Sequence, residues 1–264
     1  MLAPRDRATM LTYAVLLLVT AAAWASMLWS PMDADEMAGT GMVMAPSVGE
    51  AVAFVAAWGV MMAAMMLPSA LPMIGLYAAS QRSAPSPAAK AAAIAAFVLM
   101  YLVVWAVTGL PIYFASVALM AVASVTLAYA IAGVLVVAGL FQLSPLKQVC
   151  LRRCRSPLGF LLGSWRGGRA GALRMGARNG AWCVGCCWAL MASLFALGVM
   201  SIAWMAFVAG LIAVEKTLPW RRVATWGTAA LLLAVGLVLF VAPDALPTLT
   251  TAGSSPMPMG GMGP

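Results

Sequence analysis

The chain has 264 residues, of which 64% are hydrophobic and only 8% are charged, and its formal net charge is +8. About a quarter of the residues of a soluble domain are charged, so this composition excludes an ordinary soluble protein and predicts a polytopic α-helical membrane protein. The chain contains no histidine, which excludes a Ser/His/Asp triad, a Cys/His pair and any imidazole ligand.

Seven apolar segments are long enough to cross a hydrocarbon core of about 30 Å as helices. The predicted spans cover residues 10–29, 51–79, two helices between 88 and 143 that turn near 116–124, 177–200, 202–218 and 223–241. The predicted fold class is therefore all-α, a polytopic membrane helix bundle. We expect one transmembrane domain over residues 1–242, followed by a flexible tail at 243–264 that is rich in Pro, Met and Gly.

The distribution of charge predicts how these spans are oriented. With the N-terminus inside, all 15 Lys and Arg residues fall in inner segments, whereas the outer segments contain acidic residues and no basic ones. This distribution obeys the positive-inside rule. It places the C-terminus outside, an acidic and Met-containing loop at 30–48 outside, and a basic loop at 144–176 inside. The basic residues are thus loop charges at a membrane, and we predict no nucleic-acid partner.

The fifth predicted span contains three cysteines within a stretch of only five residues, in the sequence AWCVGCCWALMASLF. Cys183, Cys186 and Cys187 stand at positions i, i+3 and i+4, so on a helix they share one face, which continues to Met191 and reaches back to Asn179. Thiolate and thioether sulfurs are soft ligands that favour Cu(I). Zinc is the less favoured metal because its structural sites usually take four ligands. The alternative is that cysteine, a small apolar residue, merely packs between helices.

The second predicted span contains methionines at helical spacing. Met61 and Met65 form one i, i+4 pair, and Met62 and Met66 form another. Pro68 follows them, removes a backbone hydrogen bond and kinks the helix. A kinked, methionine-lined helix facing the cysteine helix would form a channel of soft ligands. The alternative is that these methionines are ordinary fillers of an apolar core.

Further methionines lie in the predicted outer loop and in the tail. They are Met32, Met37, Met42, Met44, Met257, Met259 and Met262. Outside the cytoplasm a thioether binds Cu(I) without the risk of disulfide formation that a thiol carries. The alternative is a solvated linker with incidental methionines.

Two cysteines and one carboxylate lie near the predicted inner surface. Cys150 and Cys154 stand at i, i+4 among four basic residues, and neighbouring cations are expected to lower the pKa of a thiol. This pair is a candidate point where metal enters or leaves, or else part of a basic anchor for anionic lipid. Glu215 is a minor candidate, which either pairs with a loop arginine or simply extends to the interface.

Four segments carry a resemblance to a known family: WGVMMAAMMLPSALPM, SPLKQVCLRRCRSP, NGAWCVGCCWALMASLFALGVM and WMAFVAGLIAVEKTLP. They resemble the bacterial predicted metal-binding integral membrane proteins, which include a proposed copper chaperone encoded beside a tyrosinase. The resemblance covers about residues 10–222 and is most specific in the Cys-x-x-Cys-Cys-Trp core. It implies copper handling for cuproenzymes in the bacterial inner membrane. A histidine commonly stands in that family at the position of Asn179, so this chain lacks one ligand there if that histidine binds metal.

The leading hypothesis is a protein that binds Cu(I) through Cys and Met and passes it to a cuproenzyme or a copper-carrier protein. Its other expected partners are the lipid bilayer and, if it assembles further, an oligomer or a membrane complex. One alternative is a membrane thiol redox protein that uses the Cys-x-x-Cys of Cys183 and Cys186. The other is a non-metal structural subunit. We predict no catalytic residue, and the chain has no P-loop motif for ATP.

Overall fold

The computed structural model describes residues 7–29, 47–81, 84–120, 124–164, 167–196, 202–217 and 221–243. Over these residues the chain is all-α, as predicted. The methionines of the predicted outer loop and tail lie outside the described residues. The described helices are α1 (Arg7–Trp29), α2 (Val48–Ser80), α3 (Pro87–Val107), α4 (Gly109–Met120), α5 (Ser124–Leu143), α6 (Pro145–Arg155), α7 (Pro157–Ser164), α8 (Gly168–Ala196), α9 (Ile202–Thr217) and α10 (Arg221–Val241).

In the part of the chain that the structure describes, five stretches of helix are long and apolar enough to cross a membrane. They are Met10–Trp29, Val48–Ser80, Pro87–Ala118, Thr126–Leu143 and Arg222–Val241. Each corresponds to one of the seven predicted spans. The two predicted spans on α8 and α9 are not among them; α9 has 16 residues, and the first half of α8 carries three arginines. The count of seven spans is therefore not confirmed and stays a prediction.

The segment 144–176, predicted as a loop, is mostly helical. Pro145 occupies the first position of α6, and the Ser144 side chain accepts a hydrogen bond from the backbone N–H of Lys147. A Ser cap followed by Pro is a favourable start because both residues suit the unpaired amides of a first helical turn. The dipeptide recurs as Ser156-Pro157, and Pro157 is the first residue of α7. Lys147, Arg152, Arg153 and Arg155 thus lie on the short helix α6, and Arg169 and Arg174 lie at the start of α8.

The centre of the bundle is built around α2, α3 and α8. The helix α2 packs against α1, α3 and α9, while α3 also packs extensively against α8. On the other side, α5 packs along α10, and α6 packs against α8. The buried core runs continuously through these helices and contains Trp58, Tyr101 and Trp105, each at most 2% exposed.

Small residues allow α3 and α8 to approach closely. A Cβ placed on Gly176 would collide with the carbonyl oxygen of Phe97, and one on Gly180 would lie 2.9 Å from Cβ of Val104. Glycines four residues apart are the pattern that lets two helix backbones come into contact in membranes. This contact brings Tyr101 of α3 to the cysteines of α8.

Candidate functional site

The cysteine cluster lies on the second half of α8, within the core. Cys183, Cys186 and Cys187 are 3%, 2% and 1% exposed, and Met191 one turn later is 3% exposed. Asn179, one turn before Cys183, is also buried. The structure therefore places every residue of the predicted face on the buried side of one helix.

The three thiols differ in the hydrogen bonds that they make. The sulfurs of Cys186 and Cys187 donate to the backbone carbonyl of Cys183, at 3.1 and 3.0 Å. Such bonds back to the preceding turn hold both thiols beside the helix backbone. Among the residues that the structure describes, no group of three or more His, Cys, Asp or Glu side chains is placed to hold a metal ion.

The sulfur of Cys183 has a different environment. The ammonium of Lys216, on α9, donates to this sulfur at 3.0 Å, and the hydroxyl of Tyr101, on α3, lies 3.1 Å from it. Lys216 also donates to the hydroxyl of Ser69, on α2, at 3.0 Å. We refer to these four residues as the Cys183 cluster. It joins α2, α3, α8 and α9, and sequence analysis identified only one of its members.

Lys216 is buried without a carboxylate partner in the described part of the chain. It is 9% exposed, and the neighbouring Glu215 is engaged elsewhere. The Glu215 carboxylate accepts from the Lys147 ammonium at 2.7 and 2.9 Å and from Thr225 at 3.0 Å, and Lys147 also contacts Gln142. A buried charge is costly unless it is paired or hydrogen-bonded. Among the described residues, the Lys216 ammonium donates to the Cys183 sulfur and to the Ser69 hydroxyl.

The predicted pairing of Glu215 with an arginine side chain is wrong in its detail. The carboxylate pairs with Lys147, which is 0% exposed. Arg155 donates instead to the backbone carbonyl of Glu215, at 3.2 Å. The short helix α6 explains this, because it brings Lys147 inward and Arg155 to the end of α9.

The predicted inner pair of cysteines lies directly against the cysteine helix. Cys150 and Cys154 are on α6, and a Cβ on Gly185 of α8 would lie 3.0 Å from the Cys150 sulfur. The side chain of Cys154 interacts with that of Cys186. Sequence analysis treated the two cysteine groups as separate sites, whereas the structure brings them together.

The expectation that basic neighbours lower the pKa of these inner thiols is wrong. Burial raises the pKa of the Cys150 thiol. The hydrogen bond with Cys186, followed by burial, holds the pKa of the Cys154 thiol well above its ordinary value. The nearby cations point elsewhere, since Arg152 is exposed and the guanidinium of Arg153 lies over the ring of Trp182, 5.8 Å from its centroid.

The four methionines of α2 are buried in the core. Met61, Met62, Met65 and Met66 are each at most 2% exposed. In the described residues, however, α2 and α8 share no extensive contact, because α3 and α9 lie against both. The link between the methionine helix and the cysteine helix is Lys216, which contacts Ser69 on one side and Cys183 on the other.

Comparison with known proteins identifies one family. The family model PpoB2, described as a copper chaperone, matches residues 55–239. The matched segment contains all five cysteines, the four methionines of α2 and the whole Cys183 cluster. No curated protein and no solved structure matches the chain.

Proposed function

Because the chain belongs to the PpoB2 copper chaperone family, we propose that it binds Cu(I) inside the bacterial inner membrane and delivers it to a cuproenzyme. The observation that carries this proposal is the set of buried soft ligands on α8. Cys183, Cys187 and Met191 follow one another at intervals of one helical turn and are all buried. Soft sulfur ligands of this kind favour Cu(I) over the harder divalent ions.

The membrane location rests on five apolar helices and on the arrangement of charge. We propose that α8 and α9 supply the sixth and seventh crossings, with the N-terminus inside. This topology puts all 15 basic residues on the inner side, which the positive-inside rule favours. The exposed arginines in the first half of α8 then lie at the inner interface, and the cysteines lie further along the helix, within the membrane.

Two thiolates are the proposed core of the site. Cys183 and Cys187 are one turn apart on the same helix face, which suits a two-coordinate Cu(I) bridge. Met191, and Met66 at the buried turn of α2 before Ser69, are the proposed additional thioether ligands. The four-ligand shell that zinc usually requires is not preformed by the described Cys, His, Asp and Glu side chains.

The contacts between α6 and α8 support a route for the metal. Cys150 lies against Gly185 of α8, the side chain of Cys154 interacts with that of Cys186, and Cys186 contacts the backbone of Cys183. In the proposed topology, Cys150 and Cys154 lie at the inner surface and exchange copper with Cys186. The ion then passes to Cys183 and Cys187, and onward to Met191 and the methionines of the outer segments.

The proposal is tested by loading the purified, detergent-solubilised chain with Cu(I) under reducing conditions and measuring bound metal. We expect at least one copper per chain. The triple variant C183S/C186S/C187S should lose it. Met205→Leu is the matched control, because this buried methionine lies on α9 about 16 Å along the helix from Lys216. Less than one copper per wild-type chain would refute the proposal.

Delivery is tested separately, by mixing the loaded protein with a copper-free tyrosinase or multicopper oxidase and following the recovery of oxidase activity. Thiol trapping of the same protein distinguishes the redox alternative. A Cys183–Cys186 disulfide that cycles with the redox state of the medium would favour that alternative instead.

A further inference from the structure

The Lys216 ammonium is the unusual feature of the site. It lies in the apolar core, and it donates to the sulfur of Cys183 and to the uncharged hydroxyl of Ser69. The neighbouring buried ion pair of Lys147 with Glu215 is complete in itself. In the described part of the chain, the positive charge of Lys216 thus has no carboxylate to balance it. The nearest group that acquires a negative charge when metal binds is the Cys183 sulfur.

The charge of the bound metal determines what this lysine does. Metal ligation requires the thiolate form of cysteine, so Cu(I) bound by Cys183 and Cys187 forms a complex with one net negative charge. A net charge is costly in a low-dielectric interior. When the Lys216 ammonium lies against the Cys183 sulfur, its positive charge balances the negative charge of the complex.

We propose that Lys216 is the built-in counter-cation of a two-thiolate site at Cys183 and Cys187, and that it makes the site selective for a monovalent metal ion. This inference rests on the proposed function. A divalent ion such as Zn(II), bound by the same two thiolates, forms a complex with no net charge. The lysine would then remain as an uncompensated buried cation, so the same residue that stabilises Cu(I) opposes Zn(II).

The neighbours of Lys216 suit this role. Ser69 gives the ammonium a second acceptor without adding a charge that would neutralise it. Tyr101, 0% exposed, brings a hydroxyl within 3.1 Å of the same sulfur. An aspartate in place of Ser69 would pair with the lysine and remove its effect. Lys216 is therefore a positioning and charge-compensating residue rather than a ligand.

The test compares Cu(I), Ag(I) and Zn(II) affinities of the full chain in detergent, using competing chelators. Lys216→Met should weaken Cu(I) and Ag(I) binding by about tenfold or more and leave Zn(II) binding unchanged or stronger, as expected from removing one close charge. Lys216→Arg, which keeps the charge, should retain most of the Cu(I) affinity. Lys90→Met is the matched control, because that lysine has the same exposed fraction, 9%, and its loss changes the net charge equally.

The effect of Lys216→Met on Cu(I) affinity in a second background distinguishes charge compensation from a merely structural role. In the Cys187→Met background, Cu(I) bound by one thiolate and one thioether carries no net charge. Lys216→Met should then leave Cu(I) affinity unchanged or increase it. An equal loss in both backgrounds, or an equal loss of Cu(I) and Zn(II) in the wild-type background, would overturn the inference.

A second pair of variants keeps the test decisive if Lys216→Met does not fold. Ser69→Asp should lower the Cu(I) affinity relative to the Zn(II) affinity. Ser69→Asn introduces a side chain of the same shape as aspartate but without its charge, so it should not lower this ratio. Equal Cu(I)-to-Zn(II) ratios in these two variants contradict the proposal. A wild-type chain that binds no Cu(I) refutes the proposed function itself. A wild-type chain that binds Cu(I) with no dependence on the charge at Lys216 or Ser69 refutes this inference alone.

Discussion

The indole Nε1 of Trp24 donates a hydrogen bond to the backbone carbonyl of Ala64, 3.1 Å away. This is the carbonyl that loses its helical partner because Pro68, four residues later, has no N–H. Inside a membrane no water replaces such a bond, so a neighbouring helix has to supply the donor. Trp24 of α1 therefore stabilises the proline-containing turn of α2, immediately before the residue that contacts Lys216.

Trp24→Phe should destabilise the protein by about 1–3 kcal/mol, because it leaves the Ala64 carbonyl unpaired. The measurement is the midpoint of thermal unfolding in detergent. Pro68→Ala provides the control background, since an alanine N–H at this position pairs with the Ala64 carbonyl. In that background the loss of Trp24 should cost clearly less. Strictly additive effects of the two substitutions would show that this hydrogen bond is not the link between them.

The ion pair of Lys147 and Glu215 should be essential to the fold at the end of α9. Both side chains are buried, at 0% and 2% exposed. Glu215→Gln leaves a buried ammonium without its anion, and breaking a buried pair in this way costs about 3–5 kcal/mol. Thermal unfolding of the single variant should show this loss.

The double variant K147M/E215M is the control for that interpretation. It removes both charges and fills their space with apolar side chains, so it should recover much of the stability lost by Glu215→Gln. If the double variant is as unstable as the single one, the contribution comes from packing at Glu215 rather than from charge.

The glycine contact between α3 and α8 should be needed to bring Tyr101 to Cys183. Gly176→Ala places a methyl group against the carbonyl of Phe97, and overpacking of this kind costs about 1–3 kcal/mol. Gly133→Ala is the matched control, because a Cβ there has no neighbour within 4 Å, and alanine favours the helix by up to about 1 kcal/mol. Gly176→Ala should lower both the unfolding midpoint and Cu(I) affinity, whereas Gly133→Ala should lower neither. Equal behaviour of the two variants would mean that this close approach is unimportant.

The cysteine face was predictable from the sequence, whereas the Cys183 cluster was not. Spacings of three and four residues place side chains on one face of any α-helix, so the shared burial of Cys183, Cys186 and Cys187 follows from the local sequence. Lys216 contacts Cys183 across 33 residues and between two helices. The spacing of residues along the sequence contains no information about which helix lies opposite Lys216.

The short helices of the basic segment carried a signal that was not used. Ser144-Pro145 is a helix start of the same kind as Ser86-Pro87, where the Ser86 side chain accepts from the N–H of Ala89, and Pro157 likewise begins α7. Recognising them would have placed Lys147 on a helix. The choice of lysine over arginine as the partner of Glu215 still depends on how α6 lies against α9, which only tertiary packing determines.

The three cysteines of α8 should differ in their importance for Cu(I) binding. Cys183 and Cys187 are one turn apart, and Cys183 also contacts Lys216 and Tyr101, so Cys183→Ser and Cys187→Ser should each weaken Cu(I) binding severely. Cys186→Ser should cost less, because Met191 or a methionine of α2 completes the ligand set. Serine preserves most of the volume of cysteine but replaces a soft ligand by a hard one, so the losses report on ligation more than on packing. Competition titrations with a Cu(I) chelator on the three single variants test this order. A larger loss for Cys186→Ser than for the other two, or wild-type affinity in all three, would show that copper is not held between Cys183 and Cys187.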